Sequence, residues 1–280
     1  MTVDIICPLF NAECFIENLH KSILKQQKVK INKIHYILTE SQDETENVLK
    51  KNKLNYKKIE KKNFSHSLVR EKAAFESQAD IVVFITQDIE IKNDEWLYEL
   101  IKDINNDIVA CFSRQIAKTD NIEKYTREKN YPATSYVVSK EDISTYGLKA
   151  FFFSDASSAI KRDVFVNLNG YDQKDLPISE DMYIAYKVIM AGYKIKYCAE
   201  SVVYHSHNFS LKELYNRYKL TGKFFKENAY LNQYGTNQAG GGLAKYVLKR
   251  ALEDHNFKVL LVYPFNMAAR FVGMKVGERK

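Results

Sequence analysis

The first 112 residues alternate between short apolar runs and longer stretches whose apolar residues recur every three or four positions. The runs cover residues 3–9, 34–38, 81–85 and 108–112, and the same alternation assigns a further short strand to residues 56–59, Tyr-Lys-Lys-Ile. In residues 12–27 the recurring positions follow the spacing of one helix face; they are Phe15, Ile16, Leu19, Ile23 and Leu24. Further helices are expected after Asp43 and over residues 67–77 and 94–104. This alternation predicts an α/β fold built from βαβ units with right-handed crossovers.

The second half of the chain departs from this order. Residues 113–149 are polar and contain tyrosines, and their length predicts a substrate-binding loop rather than an ordinary connection. A strand near residues 156–160, a helix over 179–191 and a strand ending at His205 then resume the pattern. After Ser210 we expect a helix to residue 228, a glycine linker at 240–242 and a basic apolar segment to Lys280.

The composition is that of a folded protein, since 45% of the 280 residues are hydrophobic and only 4 are proline. The length allows one large α/β domain with a smaller C-terminal appendage. The four cysteines are scattered and no export signal opens the chain, so neither a disulfide framework nor a zinc site is indicated and the cytoplasm is the expected compartment. No apolar run approaches the ~20 residues that would cross a bilayer.

The formal net charge of +7 suits anionic partners such as a nucleotide diphosphate or acidic lipid. Nucleic acid is not an expected partner, because the basic residues are not interleaved with a stacking platform of aromatic side chains. Between Leu243 and Lys280, eight basic residues against three acids alternate with apolar ones. Such a segment can lie in the interface of an anionic membrane; the alternative is packing on the protein's own core or on a partner subunit.

Ligands of sheets built from βαβ units bind beyond the carboxyl ends of the strands. Asp88 directly follows such a strand, where a carboxylate suits a hard divalent cation on a diphosphate; the alternatives are a helix cap or a solvent-facing side chain. Arg70 follows another strand and is either a bidentate phosphate ligand or a surface arginine. The polar segments at the predicted ligand edge are Phe10–Asn11, Thr39–Ser41, Phe64–His66 and Thr86–Asp88.

Two further segments carry candidate chemistry. Ser179 is a candidate N-cap, and Glu180 and Asp181 in the first helical turn are favoured by the helix dipole. A carboxylate held rigidly there is also a candidate general base. His205 and His207 share one face of a strand, where a neutral imidazole can complete the metal site that Asp88 begins; the alternative is an ordinary hydrogen-bonded histidine.

Taken in order, these segments resemble family 2 of the inverting nucleotide-sugar glycosyltransferases, which have a GT-A fold, and within it the bacterial rhamnosyltransferases. The first strand with its Pro8-x-x-Asn11 turn resembles that family's opening, and Phe-Ser-His-Ser-Leu-Val-Arg at 64–70 resembles its Phe-x-His-Gly-x-x-Arg element. The other matching segments, in the family's order, are residues 86–88, 155–162, 179–181, 191–205 and 269–277.

The resemblance implies a role for each candidate residue. Asp181 would be the general base, and Asp88 and His205 would hold Mg²⁺ or Mn²⁺. The acceptor side would comprise Asp155, Ser157 and Glu180. The nucleotide sugar would contact Pro8, Phe10, Thr39, Glu40, His66, Arg70 and Gln87.

The resemblance also implies an architecture and an activity. We expect a Rossmann-like mixed sheet flanked by helices over residues 1–209, with a nucleotide-sugar half to about 112 and an acceptor half after it. Residues 210–280 would be a helical, membrane-associating segment. The expected reaction moves L-rhamnose from dTDP-rhamnose to a lipid-linked or growing cell-surface saccharide at the cytoplasmic face of the cell membrane. The alternatives are a glucose, galactose or N-acetylhexosamine donor, or a catalytically silent scaffold of a polysaccharide assembly complex.

The sequence departs from the family pattern at several positions. Thr39, Glu40 and Ser41 replace the aspartates that usually touch the nucleobase and ribose. Ser67 replaces the glycine of the His-Gly element, and Glu71 replaces the asparagine that commonly follows its arginine. Only one acid of the D-x-D motif is present, as Asp88, so the expected metal site depends on His205.

Overall fold

The computed structural model describes residues 1–279, and of residues 236–241 the backbone alone. Lys280, the end of the predicted basic segment, lies outside the described residues. Within this range the strands are β1 (Thr2–Leu9), β2 (Lys30–Thr39), β3 (Tyr56–Ile59), β4 (Ile81–Ile85), β5 (Glu90–Ile91), β6 (Ile108–Ile116), β7 (Tyr136–Val138), β8 (Ser157–Lys161) and β9 (Lys194–Tyr204). The helices are α1 (Ile16–Leu24), α2 (Thr45–Lys51), α3 (His66–Glu76), α4 (Trp96–Ile101), α5 (Ile122–Asn130), α6 (Ile143–Tyr146), α7 (Arg162–Asn167), α8 (Glu180–Met190), α9 (Leu211–Glu227), α10 (Thr236–Glu253) and α11 (Phe257–Arg279).

The strands form one mixed sheet in the order β3-β2-β1-β4-β8-β6-β9-β5, and β7 pairs with β9. β1, β2, β3 and β4 are parallel, and so are β6 and β9, whereas β8 runs antiparallel to both β4 and β6. The expected mixed sheet flanked by helices is confirmed. Because β1, β2 and β4 are parallel, their carboxyl ends open on one edge, where the polar segments after Leu9, Thr39 and Ile85 meet.

The sheet is buried on both faces, which explains why its inner strands are continuous apolar runs. In β4, Val82 and Phe84 pack into the core on one side, whereas Ile81, Val83 and Ile85 pack into the core on the other. Burying each such side chain contributes about 1.5–3 kcal/mol. The carboxyl end of β4 is therefore a rigid support for whatever follows it.

The prediction of a long loop over residues 113–149 is wrong. β6 continues to Ile116, and the stretch contains the helix α5 and the strand β7. Only Ile122 and Tyr125 of α5 are buried, so the helix shows too few apolar positions for its period to be visible in the sequence. Asn121 caps it, because its side chain accepts a hydrogen bond from the Glu123 N–H at 2.9 Å.

The C-terminal helices pack on one another and on the main domain. α9 begins with a capping box between Ser210 and Glu213. The glycine linker expected at residues 240–242 is wrong, since α10 runs through it. α11 lies against α9 at Gly222, Gly273 and Gly277, where an added Cβ atom would collide with backbone atoms of the facing helix. The two helix backbones therefore approach more closely than larger residues would allow.

One helix in the described part of the chain, α11, is long and apolar enough by length and composition to cross a membrane. This corrects the expectation that no segment reaches that length; polar residues such as Lys258, Asn266 and Arg270 interrupt the apolar run in the sequence. Its exposed face carries Phe257, Leu261, Phe265, Phe271 and Val272.

Candidate active site

A cavity of about 870 Å³ lies at the carboxyl edge of the sheet. Its walls come from the segments after β1, β2 and β4, from α3, from the start of α8 and from the end of β9. Further wall residues come from α5, α9 and α11. The cavity brings together most of the predicted site residues, which are Pro8, Phe10, Thr39, His66, Arg70, Gln87, Asp88, Asp155, Glu180, Asp181 and His205.

Asp88, His205 and His207 form a cluster on one side of this cavity. The Asp88 Oδ2 atom lies 3.4 Å from His205 Nε2 and 3.7 Å from His207 Nδ1, and one ligand atom of each residue lies within 4.8 Å of the other two. β9 delivers the histidines, and the carboxyl end of β4 delivers Asp88. The geometry is that of three ligands on one side of a metal ion.

The His205 ring is oriented by Gln115 of the neighbouring strand β6. The Gln115 Oε1 atom is 2.9 Å from His205 Nδ1 and also accepts a hydrogen bond from the Arg127 guanidinium. The Gln115 Nε2 group donates to Ser154 Oγ at 2.8 Å. Since Oε1 is the acceptor, His205 Nδ1 carries a proton, and Nε2 is the ring nitrogen left for a ligand on the side of Asp88.

The His205 Nε2 atom is buried without a hydrogen-bond partner among the described residues. A buried polar atom is rarely left unsatisfied. A histidine that ligates a metal ion usually has its other ring nitrogen hydrogen-bonded to the protein, as His205 Nδ1 is to Gln115. A cation bound at Nε2 would therefore satisfy this buried atom. One carboxylate oxygen and two imidazole nitrogens are donors that a borderline divalent cation accepts.

The protonation states of the cluster suit a cation at neutral pH. Burial alone would raise the pKa of Asp88, but the neighbouring His205 and His207 outweigh it and hold that pKa well below its usual range. Burial lowers the pKa of His207 to about 4, and the proximity of His205 adds to the effect. Asp88 is therefore ionised and His207 neutral, as metal ligands must be.

Asp181 lies in the first turn of α8 and is partly exposed to the cavity. Its Oδ1 atom accepts a hydrogen bond from the Met182 N–H at 2.8 Å. Burial raises the pKa of Asp181 well above its usual range, and the negative charges of Glu180 and Asp155 raise it further. Such a carboxylate is a stronger base than an ordinary aspartate.

The structure corrects the expectation for Ser179. Ser179 precedes α8 with a left-handed φ of 62°, and its side chain makes no capping hydrogen bond. In the left-handed conformation the serine does not take the extended backbone of a capping residue. The position of α8 is therefore set by other contacts.

Arg70 is neither exposed nor free. Its side chain is 2% exposed, and its NH1 atom lies 3.2 Å from Glu180 Oε1 and 3.0 Å from the carbonyl oxygen of His66. The alternative of a surface arginine is thus wrong. Its charge is largely matched by Glu180, so both residues form part of the frame of the cavity.

Four residues predicted to contact the donor, Phe10, Thr39, His66 and Gln87, also line the cavity. The Gln87 amide bridges the backbone of Phe10, accepting from its N–H at 2.7 Å and donating to its carbonyl at 2.8 Å. Burial lowers the pKa of His66 to about 3, and the nearby Arg70 adds to the effect. Thr39 Oγ1 is buried without a partner among the described residues. Donor contact through these residues stays a prediction.

Two predicted contacts are placed elsewhere. Ser157 does not line the cavity, because its hydroxyl lies in a buried network with Trp96 Nε1 at 3.1 Å and Ser113 Oγ at 2.7 Å. Glu40 is exposed, and its carboxylate accepts from the Lys61 N–H at 3.4 Å. The expected contact of Ser157 with the acceptor is therefore wrong, because its hydroxyl is buried away from the cavity.

Asp155 lines the cavity but is engaged with the protein. Its Oδ2 accepts from the Tyr171 hydroxyl at 2.7 Å, and its Oδ1 from the Ser158 hydroxyl at 2.7 Å. Both oxygens therefore already have partners, and Asp155 acts on the cavity mainly through its negative charge.

Several cavity residues were missed by the sequence reasoning. Arg127 lies in the stretch interpreted as a loop, and Arg217, Tyr218 and Arg270 lie in the segment expected at the membrane. Gln115, in the same stretch as Arg127, does not line the cavity but holds the His205 ring. None of them follows a predicted strand directly, so no sequence signal marked them. The C-terminal helices are part of the cavity wall, whereas the division of the chain at residue 209 stays a prediction.

The mixed sheet, with the Asp88–His205–His207 cluster at its carboxyl edge, has the GT-A architecture of nucleotide-sugar transferases. The mannosyltransferase PcManGT from Pyrobaculum calidifontis, solved in complex with GDP-Man and Mn²⁺, shares this fold with a TM-score of 0.65 over 98% of this chain and 86% of that chain, at 15% identity. At that identity the likeness shows the fold alone.

The chain belongs to glycosyl transferase family 2, whose model matches residues 4–168. It is a glycosyltransferase. It is 32% identical to the O-antigen chain rhamnosyltransferase RfbN of Salmonella typhimurium, over 99% of this chain and 90% of that protein. It is 31% identical to the O-antigen chain rhamnosyltransferase WbaN of Salmonella anatum, over 98% of this chain and 88% of that protein.

Proposed function

We propose that this glycosyltransferase transfers L-rhamnose from dTDP-rhamnose, with inversion, to a saccharide acceptor of the O-antigen type. The main observation in support of this proposal is that the Asp88–His205–His207 cluster and the Asp181 carboxylate line the same cavity. The rhamnosyl donor is supported by the two relatives RfbN and WbaN, which are both rhamnosyltransferases and match this chain over 99% and 98% of its length.

The reaction is one displacement at the anomeric carbon. The bond from the acceptor oxygen to that carbon forms while the bond to the diphosphate oxygen breaks, and the nucleoside diphosphate leaves with the electron pair. Asp181 takes the proton of the acceptor hydroxyl, which is too weakly acidic to attack unaided at neutral pH. Its raised pKa suits that task, because a base works best when its pKa lies near the working pH.

Asp88, His205 and His207 would hold the divalent cation. A bound divalent cation neutralises the charge that develops on the departing diphosphate. The two imidazole ligands favour Mn²⁺ over Mg²⁺, since magnesium prefers oxygen ligands throughout. The solved mannosyltransferase of the same fold contains Mn²⁺.

Two arginines of the C-terminal helices complement this charge. Arg217 of α9 and Arg270 of α11 line the cavity, and neither forms an ion pair with a carboxylate in the part of the chain that is described. Arg270 is held by Asn266 Oδ1 at 2.6 Å and by the Tyr218 hydroxyl at 2.7 Å. Because Arg70 is matched by Glu180, these two are the cations that we assign to the diphosphate.

The acceptor is proposed to be lipid-linked and the enzyme peripheral on the cytoplasmic face of the cell membrane. The exposed face of α11 supports this location, with Leu261 73% and Phe265 64% exposed. Lys249 and Lys258 are exposed nearby, and apolar residues with flanking lysines favour an anionic interface. Arg250 contributes less than expected, because Glu128, Glu253 and Asp254 surround it.

A donor screen tests the proposal. The purified enzyme is incubated with Mn²⁺ or Mg²⁺ and with dTDP-rhamnose or the nucleotide-activated forms of glucose, galactose and N-acetylhexosamines, and release of nucleoside diphosphate is measured. We expect turnover with dTDP-rhamnose that is lost on chelation of the metal. Turnover with another donor would replace the rhamnosyl assignment, and no turnover with any donor in the presence of acceptor membranes would favour the scaffold alternative.

A further inference from the structure

Ser67 and Glu71, two positions at which the sequence departs from the family pattern, lie one turn apart on the same face of α3. They are 0% and 4% exposed, and neither lines the cavity. A buried carboxylate or hydroxyl needs hydrogen-bond partners. The partners of these two side chains therefore indicate what the substitutions do.

Glu71 binds the backbone of the segment that precedes α8. Its Oε1 atom accepts a hydrogen bond from the N–H of Tyr171 at 2.6 Å and a second from the N–H of Gln173 at 3.2 Å. Gly170 packs directly against it, and a Cβ atom added at Gly170 would lie 2.8 Å from the same Oε1. The Glu71 Oε1 atom therefore binds two backbone N–H groups in the first half of the segment.

Ser67 binds the second half of the same segment. Its Oγ atom accepts from the Leu176 N–H at 2.9 Å and donates to the Lys174 carbonyl at 2.5 Å. Ser65 Oγ lies 3.0 Å from Ser67 Oγ and completes the contact. A glycine at position 67 would leave both backbone groups without this partner.

The segment needs such support because of its backbone conformation. Asn169, Asp172, Gln173 and Ser179 all have positive φ, between 56° and 62°. Residues with a Cβ rarely adopt this region unless the surrounding structure imposes it. The hydrogen bonds from α3 hold the backbone at residues 171, 173, 174 and 176. Tyr183 and Lys187 of α8 also bind the segment, at Asp172 and at the Gly170 carbonyl.

The segment leads into α8, whose second residue is Asp181, the proposed base. α3 also contacts the start of α8 directly, through the Arg70–Glu180 pair at 3.2 Å. The same helix α3 begins at His66, which lines the cavity and is predicted to contact the donor. α3 therefore connects the cavity wall at His66 to the backbone that leads to the proposed base.

We propose that Ser67 and Glu71 are positioning residues, which set the place of Asp181 in the cavity through the backbone of residues 171–176. The inference rests on the proposed role of Asp181 as the base. A displacement of about 1 Å in a reacting group can cost on the order of 100-fold in rate. Loosening the segment should therefore slow turnover without weakening donor binding.

The test compares Glu71→Ala with Glu71→Gln. The glutamine keeps a carbonyl oxygen that can accept from both N–H groups, whereas alanine removes it. Ser67→Ala removes two hydrogen bonds without burying a new charge, and Glu76→Ala, on the exposed end of the same helix, is the matched control. For each variant we would measure kcat, the KM for dTDP-rhamnose, dTDP binding with Mn²⁺, and hydrogen exchange of residues 169–180.

We expect Glu71→Ala and Ser67→Ala to lower kcat by roughly 10- to 100-fold, with dTDP binding and donor KM unchanged. Exchange of residues 169–180 should accelerate in both, and the acid limb of the pH–rate profile should move to lower pH as Asp181 gains access to water. Glu71→Gln should recover most of the rate.

A Glu71→Ala enzyme that melts at a lower temperature but keeps the wild-type kcat and pH profile would overturn the inference and leave a purely structural role. This outcome is separable from failure of the proposed function. If Asp181→Asn turns over normally while dTDP still binds, the base assignment itself is wrong, whatever the α3 variants do.

Discussion

Replacing Asp181 by asparagine removes the proposed base while preserving its shape. The asparagine carbonyl can still accept the hydrogen bond that the Met182 N–H gives to Asp181 at 2.8 Å, so the start of α8 should keep its geometry. Asp88, His205 and His207 are untouched. The change therefore isolates proton removal from donor binding.

The expected loss is roughly 10²- to 10⁴-fold in kcat, the usual worth of general base catalysis. At about 1.36 kcal/mol for each tenfold change, this corresponds to about 2.7–5.4 kcal/mol of transition-state stabilisation. The dissociation constant of dTDP with Mn²⁺ should remain that of the wild type. Asp175→Asn, an exposed aspartate of the same segment, is the matched control and should keep full turnover.

The pH profile gives an independent readout. A base must be deprotonated, so kcat/KM should fall as the pH drops through the pKa of Asp181. Burial and the charges of Glu180 and Asp155 raise that pKa, and the acid limb should therefore lie well above the value of about 4 for an ordinary aspartate. Glu180→Gln removes one negative charge and should move the limb to lower pH.

Turnover is measured by release of dTDP from dTDP-rhamnose with acceptor membranes, and binding by calorimetry. Near wild-type kcat for Asp181→Asn with intact dTDP binding would refute the assignment of the base. An acid limb that stays in place in the Glu180→Gln enzyme would refute the electrostatic explanation of its position.

Three further predictions concern the other parts of the site. Gln115→Leu removes the hydrogen bond that orients His205 and should weaken Mn²⁺ binding by roughly 10- to 100-fold, measured by metal titration; unchanged affinity would remove Gln115 from the metal site. Arg217→Gln should weaken dTDP binding by roughly 10-fold, because losing a charge-assisted hydrogen bond costs at least about 1.4 kcal/mol. Lys212→Gln, on the same helix, is the control and should leave dTDP affinity unchanged. Equal dTDP affinities for the two variants would contradict the assignment of Arg217. The double variant Leu261→Asp and Phe265→Asp should reduce sedimentation with phosphatidylglycerol vesicles while leaving the melting temperature unchanged, and full vesicle binding would place membrane contact elsewhere.

The strands were predictable because their signal is local. β3 and β4 have the predicted bounds, residues 56–59 and 81–85. β4 is visible in the sequence because a strand buried on both faces is apolar at every position, whereas β3, with the exposed Lys57 and Lys58, is an edge strand that followed from the alternation of strands and helices. The convergence of Asp88 and His205 on one edge followed from the same pattern, because carboxyl ends of parallel strands meet. The family resemblance then identified Asp181 as the candidate base.

The predictions failed where the local signal is weak or the partner is distant. α5 was interpreted as a loop because only two of its side chains are buried. The alternative of a surface arginine at position 70 failed because the sequence does not show Glu180, which lies 110 positions away and forms the ion pair of the buried Arg70. The contact of Arg70 with phosphate stays a prediction.

The sequence by itself determined the order of the elements, the ligand edge of the sheet and the residue types available there for a metal and a base. The tertiary structure alone decided how those side chains are held. The register of β6 against β9 pairs Gln115 with Val203 and so brings the Gln115 amide to the His205 ring. The packing of α11 on α9 makes the segment expected at the membrane also a part of the cavity wall, with Arg217 and Arg270. Such contacts join residues far apart in the chain, so they depend on how elements pack rather than on the pattern within any one of them.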